Sequence, residues 1–145
     1  MSDFVHLHSH SHYSLLQALP KIDEMIDHVK DQGMDAVALT DNGVLYGAVE
    51  FYKTAKDKDV KPIFGMDAIV ARHGREKKRA RIDTKPFRLV LLAENKQGYL
   101  NLVKLSSLGF IEGFYYRPRI DKELLREYNE GLIALSGGHY GEVNE

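Results

Sequence analysis

Residues 6–12 read His6-Leu7-His8-Ser9-His10-Ser11-His12. Imidazoles stand at every second position. In an extended chain alternate residues share a face, so His8 and His10 lie side by side there. Two neighbouring imidazoles suit zinc, manganese or iron. The same spacing also arises by chance or along an exposed polar strand edge, and spacing alone leaves both readings open. The position of the motif is what bears on the fold. It continues from Phe4-Val5-His6-Leu7, which reads as a strand, and ligands at the end of a barrel strand belong at the active-site face of a (β/α) barrel.

Outward from that motif, short apolar runs alternate with segments of helical period. Ile22, Met25, Ile26 and Val29 form the stripe of a half-buried helix, with Pro20 in its first turn and Gly33 at its stop. Ala36-Val37-Ala38-Leu39-Thr40 reads as a buried parallel strand. Asp41-Asn42 is placed to cap a helix whose buried face is Leu45, Ala48, Val49 and Tyr52, although Asp41 could also face a barrel mouth. Ile63 to Val70 and Leu89 to Ala93 read as further strands, and Asp67 lies in the first of them after Gly65. Leu102, Val103, Leu105 and Leu108 mark a helix, Gly109 to Pro118 an aromatic loop, and Asp121 to Tyr128 a short helix. Leu132 to Ser136 is the last strand, followed by Gly137-Gly138 and His139. The order β-α-β-α-β-β-α-α-β predicts an α/β fold with a mainly parallel sheet. Five strands do not close a barrel of the usual size, so the expected architecture is a small open sheet or, given the histidines, an incomplete barrel.

The 145 residues make one domain at most. There is no long apolar run for a membrane span, Met1 to Phe4 does not read as a secretory leader and none is expected, and the absence of cysteine removes disulfides, thiolate ligands and cysteine nucleophiles together. A cytoplasmic location is expected. The net charge of −1 hides an asymmetry. Between Arg72 and Arg88 eight basic residues face only Glu76 and Asp83, which leaves this window at +6 and the rest of the chain at −7. Arg75, Lys77, Lys78, Arg79 and Arg81 are the candidate nucleic-acid contacts in it. A solvated loop explains the run equally well, and the window has almost no aromatic residues on which bases could stack.

The stretch Phe4 to Leu16 resembles the opening of the polymerase-and-histidinol-phosphatase (PHP) domain, in the version found at the start of bacterial DNA polymerase III alpha subunits. Leu39-Thr40-Asp41-Asn42-Gly43, Gly47 to Tyr52, Lys61 to Asp67, Leu89 to Asn95, Gly98 to Leu102 and Gly131 to Gly138 continue that resemblance in register. It covers residues 1–145 as part of one PHP domain, with about 72–88 as a variable basic insertion. The fold it implies is the N-terminal part of a distorted seven-stranded (β/α) barrel.

In metal-binding members of that family a cluster of metals sits in the barrel mouth. Carried over, the resemblance makes His8, His10 and Asp67 metal ligands, for zinc or manganese. At four other ligand positions it finds Gln17, Asn42, Arg88 and Gly138. Arg88 brings a permanent cation that can pair with Asp67 where a metal would sit. The function implied is that of a structural or docking module with a degraded metal site, in a replicative DNA polymerase. The alternative is a metal-dependent phosphoesterase acting as a 3′–5′ exonuclease or pyrophosphatase. The partners implied are the rest of the polymerase subunit, a proofreading exonuclease subunit, and DNA through the holoenzyme. Because an incomplete barrel exposes strand edges, self-association is also expected.

Overall fold

The computed structural model describes residues 4–142. Its elements are α1 (Ile22–Asp31), β1 (Ala36–Leu39), α2 (Ala48–Asp57), β2 (Lys61–Val70), β3 (Phe87–Ala93), α3 (Lys96–Ile111), α4 (Lys122–Glu127) and β4 (Leu132–Leu135), ending in a 3-10 turn at Gly138–Tyr140. The strands form one sheet in the order β1-β2-β3-β4.

Burial explains each helix. In α1 the spacing of Ile22, Ile26 and Val29 puts all three into the core, Asp23 and Glu24 suit the positive N-terminal end, and Gly33 leaves the helix at φ 72°. Ile22, Ile26 and Phe51 are fully buried and contribute about 2 kcal/mol apiece. With Val37, Leu39, Ala55 and Val60 they join α1 and α2 to one face of β1. Met66, Ala68, Val70, Leu91, Leu102, Leu105, Ile120 and Leu124 pack α3 and α4 on the same side of β2 and β3. Ala38, Val90 and Leu92 form a smaller cluster on the opposite face, flanked by Ile63 and Leu135.

The sheet departs from the parallel expectation. β1 and β2 are parallel, but β2–β3 and β3–β4 are both antiparallel. The connection from β2 to β3, residues 71–86, contains no helix to carry a parallel crossover. Between β3 and β4 the chain passes away through α3 and back through α4, and so re-enters the sheet from the end it left. Gly98 at the start of α3 abuts Gly131 just before β4, where a Cβ would meet the Gly131 carbonyl at 1.9 Å.

Other local expectations shift as well. Phe4–Leu7 does not form a strand; a single parallel bridge joins His6 to Val37. The serine-rich segment beyond it is held through Ser9 and Thr40, which exchange Thr40 N–H to the Ser9 carbonyl at 2.8 Å and Ser9 N–H to Thr40 Oγ1 at 2.9 Å. Pro20 precedes Lys21, the residue that flanks α1, and so lies outside the first turn. Asp41 caps no helix, because α2 begins later, after Gly47. The late start rotates the buried face of α2 onto Ala48, Phe51 and Ala55, and leaves Val49 and Tyr52 at 64% and 48% exposure. Phe110 still belongs to α3, so the aromatic loop is shorter than its composition suggests.

Candidate functional site

β2 carries Asp67 two residues beyond Gly65, and the close packing at Gly65 is what sets its position. A Cβ at Gly65 would meet the Leu91 carbonyl, a Leu92 methyl and the Thr40 methyl, each at 2.7 Å. Here β2 passes from pairing with β1 to pairing with β3. Asp67 therefore projects from the face opposite α3 and α4, in register with Val90. The Gly43 N–H donates to the Asp67 carbonyl at 2.9 Å, and a bridge to Asn42 brings the end of β1 alongside.

Asp67 is 2% exposed, and three cationic or basic groups converge on its Oδ2. His8 Nε2 lies at 3.1 Å, His10 Nε2 at 3.3 Å and the Arg88 Nη2 at 2.9 Å. The His10 contact lacks hydrogen-bond geometry, so His10 Nε2 and Asp67 Oδ1 are buried polar atoms without a hydrogen-bond partner. Burial by itself pushes the Asp67 carboxyl up, but the His10 ring, the Arg88 charge and the His8 ring outweigh it and hold the group below the usual carboxylate range. Burial is the main influence on Arg88 and lowers it, the Asp67 charge opposes that, and the charge of Arg117 lowers it further. Arg88 also donates to Asn42 Oδ1, and Asn42 Nδ2 donates to Gln17 Oε1 at 2.8 Å. A chain from Gln17 through Asn42 and Arg88 thus ends on Asp67.

The loop that carries His8 and His10 is anchored from beneath by Asp41, which is 1% exposed. Its carboxylate accepts from Ser11 N–H at 2.7 Å, Ser11 Oγ at 2.8 Å and Ser14 Oγ at 2.6 Å. Asp41 is therefore committed to the backbone of this loop and does not face the mouth. Ser11 and Ser14 are functional in that sense; their spacing after the histidines was the available signal.

The histidines divide. His8 and His10 meet edge to face, 4.9 Å between centroids, and with Asp67 offer three donor atoms within 4.8 Å of one another. That set fits a single divalent ion, in competition with Arg88. Among the described residues it is the one grouping of this kind. His6 packs on Phe4, His12 on Tyr13, and the exposed His139 on Tyr140. His73 pairs with Asp83 at 2.9 Å.

The basic segment is a folded lobe held by carboxylates and by one buried arginine. Arg75 pairs with Glu112, Glu123 and Asp121 at 2.6, 3.0 and 3.1 Å. Arg79 pairs with Asp83 at 2.9 Å, and its hydrogen bond is the largest of the influences that hold Asp83 far below the usual carboxylate range. Arg119, 1% exposed, donates to the carbonyls of Arg75, Lys77, Asp83 and Gly113. Of the five candidate nucleic-acid contacts, Arg75 and Arg79 are thus spent on internal pairs, while Lys77, Lys78 and Arg81 are exposed. Arg119 had no periodic or motif signal that marked it as a buried hub.

Comparison with known proteins places this geometry. The PHP domain matches residues 6–145. DNA polymerase III subunit alpha of Borreliella burgdorferi is 49% identical over 136 residues, covering 93% of this chain and 12% of that protein. The Thermus aquaticus subunit is 49% identical over 138 residues, 92% of this chain and 11% of that one. The chain therefore spans 11–12% of the length of these relatives. In fold it is similar to an amidohydrolase from Chromobacterium violaceum with bound sulfate and no metal, at TM-score 0.52 and 20% identity over 71% of this chain and 32% of that one. A structure named for a metal-dependent phosphoesterase of Bifidobacterium adolescentis aligns at TM-score 0.50 and 10% identity, over 71% and 31%. These likenesses give the fold as part of a (β/α) barrel. Among the described residues no helix is long and apolar enough to cross a membrane.

Proposed function

The chain belongs to the PHP domain family, and from that premise we propose that it serves as the N-terminal PHP module of a replicative DNA polymerase of the subunit-alpha kind. Its role is structural and docking, and nucleotidyl transfer belongs to the rest of the subunit. The observation that carries this reading is the Arg88 guanidinium seated on Asp67 Oδ2 and on Asn42. A divalent ion on the same carboxylate would have to share it with that permanent positive charge, and their repulsion in a partly buried site opposes tight binding. Gln17, Asn42 and Gly138 offer no metal-ligating imidazole or carboxylate at the other positions the family resemblance points to, which argues against a cluster of metals.

Exposed aromatic surface supports the docking role. Tyr46, Phe110 and Phe114 form a row with centroids 6.3 and 6.2 Å apart, and they are 61%, 36% and 47% exposed. The partners of this reading are the remainder of the polymerase subunit, a proofreading exonuclease subunit and, through the holoenzyme, DNA, in the cytoplasm. Ile133 on the edge strand β4 is 48% exposed, and self-association of the chain is the expected consequence. A monodisperse monomer in sedimentation at tens of micromolar contradicts that part.

A metal-dependent phosphoesterase is the second reading. It is favoured by the three donor atoms of His8, His10 and Asp67 and by the unpartnered His10 Nε2 and Asp67 Oδ1. Zinc or manganese held there would supply Lewis acidity and an acidified water. The deciding experiment is metal analysis of the purified chain together with phosphodiester and pyrophosphate turnover. The structural reading expects substoichiometric metal and no turnover above background. Near-stoichiometric, tightly held zinc or manganese, with turnover abolished by His8→Ala, establishes the second reading instead.

A further inference from the structure

The basic segment by itself lacks aromatic side chains, but the fold supplies them from elsewhere. The Tyr115–Arg117 turn packs against residues 83–86, and the two enclose a pocket of about 400 Å³ lined by Thr84, Pro86, Tyr115, Tyr116 and Arg117. That is room for one nucleotide-sized group. The Tyr115 N–H donates to the Arg117 carbonyl at 3.0 Å and closes a three-residue turn. At its tip Tyr116 is held at φ 59°, a conformation a bulky side chain rarely adopts, and its ring is pushed out to 76% exposure. The Tyr115 ring lies 4.6 Å from it, centroid to centroid.

The charges around this pocket are sorted. Two of the three ionic groups in its wall are already paired inward: Asp83 faces Arg79 and His73, and Arg119 is used up on four carbonyls. The exposed cations nearby are Arg117, which lines the pocket, Lys85, which lies in sequence between the lining residues Thr84 and Pro86, and Arg81, three residues before Thr84. The carbonyl bonds from Arg119 also fix the backbone of the basic lobe, so these cations stand on an ordered frame.

We propose that this pocket binds single-stranded nucleic acid, with one base stacked on Tyr116 and the neighbouring phosphates met by Arg117, Lys85 and Arg81. An exposed aromatic face with a lining arginine and further exposed cations close to it in sequence matches the two demands of a single strand, a platform for a base and countercharge for its backbone. A duplex keeps its base faces stacked inside and offers the tyrosine nothing. None of His8, His10 and Asp67 lines this pocket, and binding there does not depend on metal in the mouth, although Arg117 is near enough for its charge to act on Arg88.

The test uses the whole chain and a labelled oligothymidine about 12 nucleotides long, followed by anisotropy at about 50 mM salt. The expected result is binding of the single strand in preference to a duplex of the same length. Tyr116→Ala weakens it about tenfold and Tyr116→Phe retains it. Arg117→Ala lowers the slope of log affinity against log salt by about one. Both side chains are on the surface, so thermal midpoints should not move. The chain has no tryptophan, so Tyr116→Trp adds a single indole reporter whose emission should be quenched as the strand binds. No binding of the single strand, equal binding of duplex, or affinity unchanged in Tyr116→Ala would each overturn the proposal. So would strand binding that leaves the emission of the introduced indole untouched.

Discussion

Two arginines sit deep in this molecule, and their surroundings are opposites. Arg119 is 1% exposed and meets no carboxylate directly; it spends its donors on four backbone carbonyls and stacks on Tyr115 at 5.1 Å. Every group in that network is satisfied, and the result is a staple between the basic lobe and the 113–119 segment. Arg88 is 17% exposed and shares one carboxylate oxygen with two imidazoles, leaving Asp67 Oδ1 and His10 Nε2 without partners. A complete hydrogen-bond inventory marks scaffold, and an incomplete one marks a place built for something else. On the reading proposed above that something would be a metal, and the Arg88 guanidinium competes with it for Asp67.

That contrast can be broken at several points. The largest effect is expected from Arg119→Ala. It leaves four carbonyls without their donors in a buried setting and should cost about 4 kcal/mol in urea unfolding. Lysine at 119 should rescue little, because one ammonium cannot span the four acceptors. A loss below about 1 kcal/mol would show that the lobe does not depend on this hub.

Arg88→Ala comes next. Asp67 keeps His8 and His10 beside it, so the cost in the presence of chelator should be about 2–3 kcal/mol, at or below the usual range for breaking a buried pair. Added zinc or manganese should restore part of that loss in the variant and little in the parent. Equal metal response in both would erase the distinction between the two networks.

The pH dependence of stability sharpens the comparison further. Asp67 has its carboxyl held below the ordinary value of about 3.9 in the folded state. Its contribution is therefore complete above that value and is lost as pH falls through the lower folded pKa. Asp67→Asn should flatten the acid limb of a urea-midpoint profile, while the share due to Asp83 and Asp121, also lowered, persists. An unchanged acid limb would mean that Asp67 is not charge-paired in the folded state. The smallest effects belong to Lys77→Ala and Lys78→Ala, which should stay within about 0.5 kcal/mol because both side chains are exposed.

The sequence disclosed those features that rest on local pattern. The helix stripe at Ile22, Ile26 and Val29, the run Ala36–Leu39 and the side-by-side His8 and His10 were legible in this way, whereas the grouping of those histidines with Asp67, and Arg88 as a candidate partner of Asp67, came only through the resemblance to the PHP family. What stayed hidden depends on contacts between distant segments. Strand direction in β3 and β4 follows from how many helices intervene, and residues 71–86 gave no periodic sign of their path. Asp41 looked like a cap because its true partners, Ser11 and Ser14, lie 30 and 27 residues away. Arg119 and Tyr116 take their meaning from the basic lobe, which reaches them only through the fold.

Titration of zinc into the chelator-treated chain, parent against Arg88→Ala, tests the central claim most directly. The account predicts weak or undetectable binding in the parent and a gain of at least about tenfold in the variant, worth roughly 1.4 kcal/mol. Tight, near-stoichiometric binding in the parent, with no gain on removing Arg88, would contradict it.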